Sequence, residues 1–380
     1  PLETPVRYAL TLFFLMQFAL YKDDVLPILL KAWPLFVLPI FGMASIFWAP
    51  SMSLAMRSGF LFLLSPLIIT VIIARLNVSI VLRCMFFACA IGVILSAKYY
   101  GNMHAGGPFP HKNYFAQQML FAALISFATL LNERRARWVR LLAGPIFLMA
   151  LVFLLRALSA TALVFAVVGV SGLFVVRYLW VGFGRVRHLR TVIFLMCFAA
   201  ILLGLMYVLN QPDGDYLNKF LGLVGKDATF TGRTHIWAAG EVAAAEHPWF
   251  GVGLEGFWQY GNGAAQSINE NDFKPAGTKL SFHNAYLEVQ VHLGYIGLAL
   301  YILMWVWCGY RLFKQWFEDS SLEASALLLF GMIVFVSTFT ESSGWSTFNT
   351  PLNLLYLGVV AGFSPIVKRY VGQVPVRINT

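Results

Sequence analysis

SGFLFLLSPLIITVIIA, residues 58–74, carries no charged side chain, and beyond Arg75 the chain resumes with SIVLRCMFFACAIGVILSA, residues 79–97, interrupted only by Arg83. Roughly 20 mostly apolar residues are needed for a helix to cross the hydrocarbon of a bilayer. Backbone groups in lipid must bond within their own segment, so runs of this length are helices; barrel strands are far shorter and alternate. Eleven such runs are expected: 6–21, 33–48, 58–74, 79–97, 114–131, 140–155, 158–177, 191–209, 284–310, 324–340 and 352–367. Pro27, Pro34 and Pro39 crowd the first two, and proline ends or kinks a helix.

Composition agrees. Hydrophobic residues make up 59% of the 380 and charged residues 12%. A soluble domain carries about twice that charge, so a water-soluble globule, a disordered chain and a fibrous fold are all excluded. The expected class is an all-α integral membrane protein with about eleven spans and one long loop containing short helices. The chain starts at Pro1, and a further helix ahead of it is expected, for twelve spans in the full protein.

The net charge of +10 would suggest nucleic acid in a soluble protein, but here it follows membrane sidedness. Basic residues cluster at 22–31, at Arg75 with Arg83, at Arg134, Arg135, Arg137 and Arg140, at Arg177 to Arg190, at Arg311 with Lys314, and at Lys368, Arg369 and Arg377. By the positive-inside rule these connections face the cytoplasm, and most of the basic residues are in them. No nucleic-acid partner is implied; the lipid bilayer is. The four cysteines, Cys84, Cys89, Cys197 and Cys308, each lie in an apolar run and read as small core residues.

The opposite side receives 49–57, 98–113, a tight turn near Arg156, residues 210–282 and 341–350. The segment 210–282 is long for a connection, with eight acids, five bases and three tryptophans. Arg57, Lys112, Arg156, Arg233 and His283 all fall on this side. Arg57 and Lys112, at helix ends, also suit plain snorkelling to the interface. Arg156, alone in a short turn, calls for water, a carboxylate or a phosphate. Arg233 opens an amphipathic stretch that runs to His247. His283 is either an ordinary interface histidine or a proton acceptor near neutral pH. His104, His111, His235 and His247 share the compartment, but no zinc-ligand spacing is present. Fixed guanidinium groups suit phosphate oxygens, and a base suits activation of a hydroxyl. A lipid-linked phosphate or diphosphate substrate is implied.

The motifs GRTHIW (232–237), HPWFGVGLEGFW (247–258) and FHNAYLEVQVHLGYIGLAL (282–300) resemble the O-antigen ligase and polymerase superfamily. PFPHKNYFA (108–116), IFWAPSMSLAMR (46–57) and the TES at 340–342 agree with it, so the resemblance spans about 46–365. The wording of 225–237 is closest to bacterial exopolysaccharide polymerases. The resemblance implies a metal-independent glycosyltransferase of the bacterial inner membrane, acting on its periplasmic side with no cofactor. The donor would be an undecaprenyl-diphosphate-linked glycan and the acceptor another repeat unit or lipid A core, with a chain-length regulator as a further partner. It makes His283 the catalytic base and Arg233 a catalytic diphosphate contact; the placement of Arg156, Arg57 and Lys112 on the same side adds them as further expected diphosphate-binding residues. The map of apolar runs and basic connections divides the chain into a bundle of about eight spans (1–209), a periplasmic loop (210–282), and three C-terminal spans with a cytoplasmic tail (283–380). Polymerisation of repeat units is the favoured activity and O-antigen ligation the alternative. A lipid-linked sugar flippase or transporter is the rival from another class, disfavoured because the spans hold few mid-membrane ionisable groups.

Two local expectations are specific to this chain. The family often has a basic residue where Ala160 stands, and Arg156 is expected to substitute for it if one helix carries both. A helix capped by Thr231 or Thr234 is expected to run to about Glu246 and stop at Pro248, which places Arg233 at an anion-favouring helix start. Asp213, Asp215, Glu255 and Asp272 fit either sugar hydroxyls or plain solvation.

Overall fold

A computed structural model describes residues 3–109, 111–180, 192, 196, 233–319, 321–345 and 349–364. Every regular element among them is helical: α1 Glu3–Leu20, α2 Lys22–Lys31, α3 Pro34–Ala44, α4 Met52–Arg75, α5 Val78–Ser96, α6 Lys112–Leu131, α7 Arg137–Arg156, α8 Ala160–Val175, α9 Thr234–Glu246, α10 Gly263–Asn271, α11 Ala285–Glu318, α12 Leu322–Ser337 and α13 Thr350–Ala361. Helices overlie ten of the eleven expected runs; the eighth, 191–209, lies essentially outside the described residues, as do 210–232 and the basic tail.

The described residues bear out part of the expected count of spans. Among the described residues six helices are long and apolar enough to cross a membrane, or seven if one bent pair is a single span. That pair is α2 and the stretch Pro34–Phe47, bent by 87°. Residues 22–31, expected as a connection, are therefore helical. Pro34 has no N–H with which to continue the ladder of α2, so a new helix starts there in another direction. The apolar part of α1, α12 and α13 fall short of spanning length. Apolar runs overstate helices here because α12 stops at Ser337 and α13 at Ala361, where polar turn residues and Gly362 take over.

Two compact units share the chain. One comprises Pro1–Val81, His235–Glu318 and Phe330–Thr380; the other comprises Leu82–Thr234 and Asp319–Leu329. In the first, α4 begins at a Ser51 cap, whose hydroxyl accepts from the Leu54 N–H. It lies so close to α3 that a side chain on Gly59 would meet the Met43 backbone. Phe62 of α4 packs edge-on to Trp345, with centroids 5.4 Å apart. Tyr301 of α11 and Tyr356 of α13 are wholly buried.

In the second unit α6 is the central helix, with Phe115, Ala116, Met119 and Phe121 among its buried side chains. Its end is tied down by polar contacts: Asn132 Nδ2 donates to Glu323 Oε1 at 2.7 Å, and Arg177 pairs with Glu133 at 2.5 Å. These basic connections are those expected on the cytoplasmic side.

Candidate active site around His283

The site is built on a break in α11. Gly294 has φ 64° and ψ −165°, a region that essentially only glycine enters. The break frees backbone groups that a straight helix would use internally, and the segment from Pro248 to Gly253 takes them. Val252 N–H donates to Val291 O at 2.9 Å and Gly253 N–H to His292 O at 2.9 Å. On the other side of the break Tyr295 N–H donates to Pro248 O at 2.7 Å and Ile296 N–H to Trp249 O at 3.3 Å. Backbones can meet this closely only without side chains between them. A Cβ on Gly251 would strike the His292 backbone, and one on Gly294 the Trp249 carbonyl. Gly251 (φ 66°) and Gly253 (φ 88°) also turn left-handed, as the Gly-x-Gly pattern predicts.

Across the segment, Leu254 N–H donates to Ser45 Oγ at 2.9 Å and Trp48 Nε1 to Phe250 O at 3.1 Å. The segment is thus held between the turn after α3 and the break in α11. Trp48, Trp249, Phe250, Phe257 and His247 line an open cleft here of about 1020 Å³.

The helix α9 runs from Thr234 to Glu246 and stops ahead of Pro248 as expected; Thr234 is its first residue and Arg233 precedes it. Its apolar face joins a small core: Ile236, Ala243 and Ala244 with Phe257, Trp258, Ala265, Ile268, Phe282, Leu287 and Val291. Phe257, Trp258 and Phe282 form an aromatic triad with centroids 4.8, 4.9 and 5.0 Å apart. Gly240 lets the Phe282 ring lie against the helix. Trp237 Nε1 donates to Phe282 O at 2.7 Å. The Trp of the GRTHIW motif therefore fixes the residue before His283.

His283 itself has φ 51°. A left-handed non-glycine residue persists only where its surroundings over-determine it, and they do. Phe282 N–H donates to Glu288 Oε1 at 2.8 Å, and Ala285 N–H to Thr338 O at 2.9 Å. Asn284 Oδ1 accepts from the Tyr286 and Leu287 N–H groups, at 3.0 and 3.3 Å, and so caps α11.

The imidazole points to the turn after α12. His283 Nδ1 lies 2.8 Å from Glu341 Oε2, the two side chains 31% and 25% exposed. An ionised carboxylate only accepts, so this bond assigns the proton to Nδ1 and presents Nε2 as the acceptor. The geometry matches the base-and-orienter pair of hydrolytic triads. Glu341 was given no role from the sequence; its only signal was agreement of the TES motif.

The other expected residues are placed within their own units. Arg57 is exposed on the second turn of α4, and Lys112 is exposed at the start of α6. Arg156 ends α7, its guanidinium 4.8 Å from the centroid of the Tyr100 ring. The helix does not continue to residue 160: Leu158 has φ 52° and Ser159 is the N-cap of α8. Arg156 and Ala160 are thus on different helices, and the shared-face argument for substitution does not hold. Arg233 is half-buried at the head of α9. The structure places Arg57 and His283 in the first unit and Lys112, Arg156 and Arg233 in the second.

Of the acids considered for sugar binding, Glu255 pairs with Lys279 at 2.5 Å and Asp272 with His235 at 3.0 Å; Asp213 and Asp215 lie outside the described residues. Among the described residues no group of three or more His, Cys, Asp or Glu side chains could hold a metal ion.

Comparison with known proteins then places the chain. The model of the O-antigen ligase family matches residues 119–302, which include Arg156, Arg233 and His283. The exopolysaccharide production protein ExoQ of Rhizobium meliloti (strain 1021) is 28% identical over 348 residues, covering 88% of this chain and 77% of that protein. This is a multi-pass membrane protein with a stretch, residues 119–302, that is similar to the O-antigen ligase family, and it resembles an exopolysaccharide production protein along most of its length.

Proposed function

We propose that the protein is a glycosyltransferase that polymerises polyprenyl-diphosphate-linked oligosaccharide repeat units on the outer face of the bacterial inner membrane. The observation that carries this is His283: left-handed, pinned on both sides, and oriented through Nδ1 by Glu341. Nε2 takes the proton of an acceptor sugar hydroxyl as that oxygen attacks the anomeric carbon of the donor. The bond from that carbon to the diphosphate oxygen breaks, and undecaprenyl diphosphate leaves with the electron pair. Glu341 stabilises the imidazolium formed on His283. Attack from the face opposite the diphosphate inverts the anomeric centre.

Charge grows on the departing diphosphate, and cations stabilise it there. Arg233, at the head of α9 where free N–H groups also favour anions, is the first contact proposed. Arg156, Arg57 and Lys112 are proposed as further contacts on the same membrane face. The aromatic cleft beside α9 supports an acceptor glycan there, since sugar rings lie against aromatic faces. The chemistry asks for no metal and no cofactor.

The relative supports the polymerase reading, because its name concerns exopolysaccharide production. The matched family description favours a ligase, which would use the same donor and base with lipid A core as acceptor. Purified protein given a lipid-linked repeat unit without core acceptor separates the two. A ladder of longer lipid-linked glycans supports polymerisation. Transfer only after lipid A core is added supports ligation. No glycosidic bond with either, but movement of the lipid-linked sugar across vesicles, would replace the enzyme reading with a transporter.

A further inference from the structure

Glu288 is the one acid in the first turn of α11, and it is almost wholly buried, 3% exposed. Burying a carboxylate costs several kcal/mol unless its oxygens are satisfied. Its partners are unusual in their placement. Oε1 accepts the Phe282 N–H at 2.8 Å and the Ser342 hydroxyl at 3.1 Å. Phe282 immediately precedes His283, and Ser342 immediately follows Glu341. One oxygen therefore ties together the two backbone segments that carry the base and its orienter.

The second oxygen is anchored from below. His292 Nε2 lies 3.4 Å from Glu288 Oε2, and His292 Nδ1 lies 3.2 Å from Gly253 O. A carbonyl only accepts, so Nδ1 carries a proton, and a further proton must lie between Nε2 and Oε2 for that contact to be attractive. Trp345 stacks on the His292 ring at 6.3 Å and 17°. The chain of contacts runs from the glycine turn at 253 through His292 and Glu288 to both sides of the His283–Glu341 bond.

We propose that Glu288 is a positioning residue for the His283–Glu341 pair, setting the separation of the two segments through one shared acceptor oxygen. Glu288 bonds the backbone beside His283 and the hydroxyl beside Glu341 rather than the His283 imidazole itself. It acts by fixing the Phe282 and Ser342 groups, so that the 2.8 Å bond between Nδ1 and Oε2 is formed before substrate arrives. A displacement of about 1 Å in such a pair can cost roughly 100-fold in rate. The inference rests on the reading of His283 as the base.

The test uses the full-length protein in detergent with a polyprenyl-diphosphate-linked repeat unit as donor, reading kcat, donor KM and the thermal midpoint. Glu288→Met fills the space and removes the acceptor; kcat is expected to fall by roughly 100-fold with donor KM nearly unchanged. Glu288→Gln keeps an oxygen at Oε1, and its kcat is expected within about 10-fold of wild type. Ser342→Ala removes only the tie on the Glu341 side and is expected to lower kcat by roughly 3- to 10-fold without moving the thermal midpoint. In a His283→Ala background, Glu288→Met should lower the residual rate no further.

Wild-type kcat in both Glu288→Met and Ser342→Ala would overturn the proposal, as would equal losses in Glu288→Met and Glu288→Gln. If Glu288→Met does not fold, the Ser342→Ala kcat decides, a fall supporting the proposal and no change overturning it. Full activity in His283→Ala would instead remove the reading of His283 beneath it, whatever Glu288 does.

Discussion

Gly294→Ala should unseat the wedge that shapes the site. At φ 64° and ψ −165° an alanine is strained by about 1–3 kcal/mol. Its Cβ would also land on the Trp249 carbonyl, and overpacking of this kind costs about 1–3 kcal/mol. Relief requires the Pro248–Gly253 segment to move out, which endangers four backbone hydrogen bonds, each worth about 1 kcal/mol net. The same helix supplies a control. Gly309 has nothing within 4 Å of where its Cβ would stand, and Gly→Ala in a helix interior gains up to about 1 kcal/mol. Thermal unfolding of the two purified variants, followed by tryptophan fluorescence, compares them directly. At roughly 2–4 °C per kcal/mol for large domains, Gly294→Ala should melt at least ~5 °C below wild type, and Gly309→Ala at or slightly above it. Equal midpoints for the two variants would refute the account of the break.

Glu341→Gln should leave the fold intact but lower kcat by about 10²–10⁴-fold, since an amide does not hold the imidazole in one tautomer; steady-state kinetics at a fixed donor concentration would show it, and wild-type turnover would remove Glu341 from the site. Arg156→Ala should lower kcat/KM by roughly 10- to 100-fold, with Arg156→Lys partly restoring it, if the guanidinium meets the diphosphate; unchanged kinetics would leave it a side chain stacked on Tyr100. Phe257→Ala empties the centre of the aromatic triad and should cost about 3–5 kcal/mol, read as a lowered thermal midpoint, and a midpoint unchanged from wild type would contradict the packing described.

The helical class and the end of the helix at 234–246 were legible because apolar run length and a proline are local signals. His283 stands out in the sequence through its motif, and the structure sets it beside Glu341. Span lengths were less legible, because hydropathy persists through the polar turns that stop α12 and α13, and because the proline break between α2 and α3 turns one apparent connection into a helix. Gly294 stood in plain view as one glycine in an apolar run. Nothing local says that its neighbours' backbone groups would be claimed by Pro248 to Gly253, some 45 residues away. Glu341, 58 residues from His283, and Glu288, one acid in a helix start, gained meaning only from the tertiary pairing. Arg156 and Ala160 are parted by a single left-handed residue, Leu158, which no composition rule predicts.

The central claim is that His283 is the base for glycan transfer. Its most direct measurement is release of polyprenyl diphosphate from a defined lipid-linked repeat unit, by wild type and His283→Ala at equal amounts of folded protein. The account predicts one diphosphate released per new glycosidic bond in the wild type. In His283→Ala it predicts a fall of about 10³-fold or more with donor binding preserved. Release by His283→Ala at the wild-type rate would contradict it.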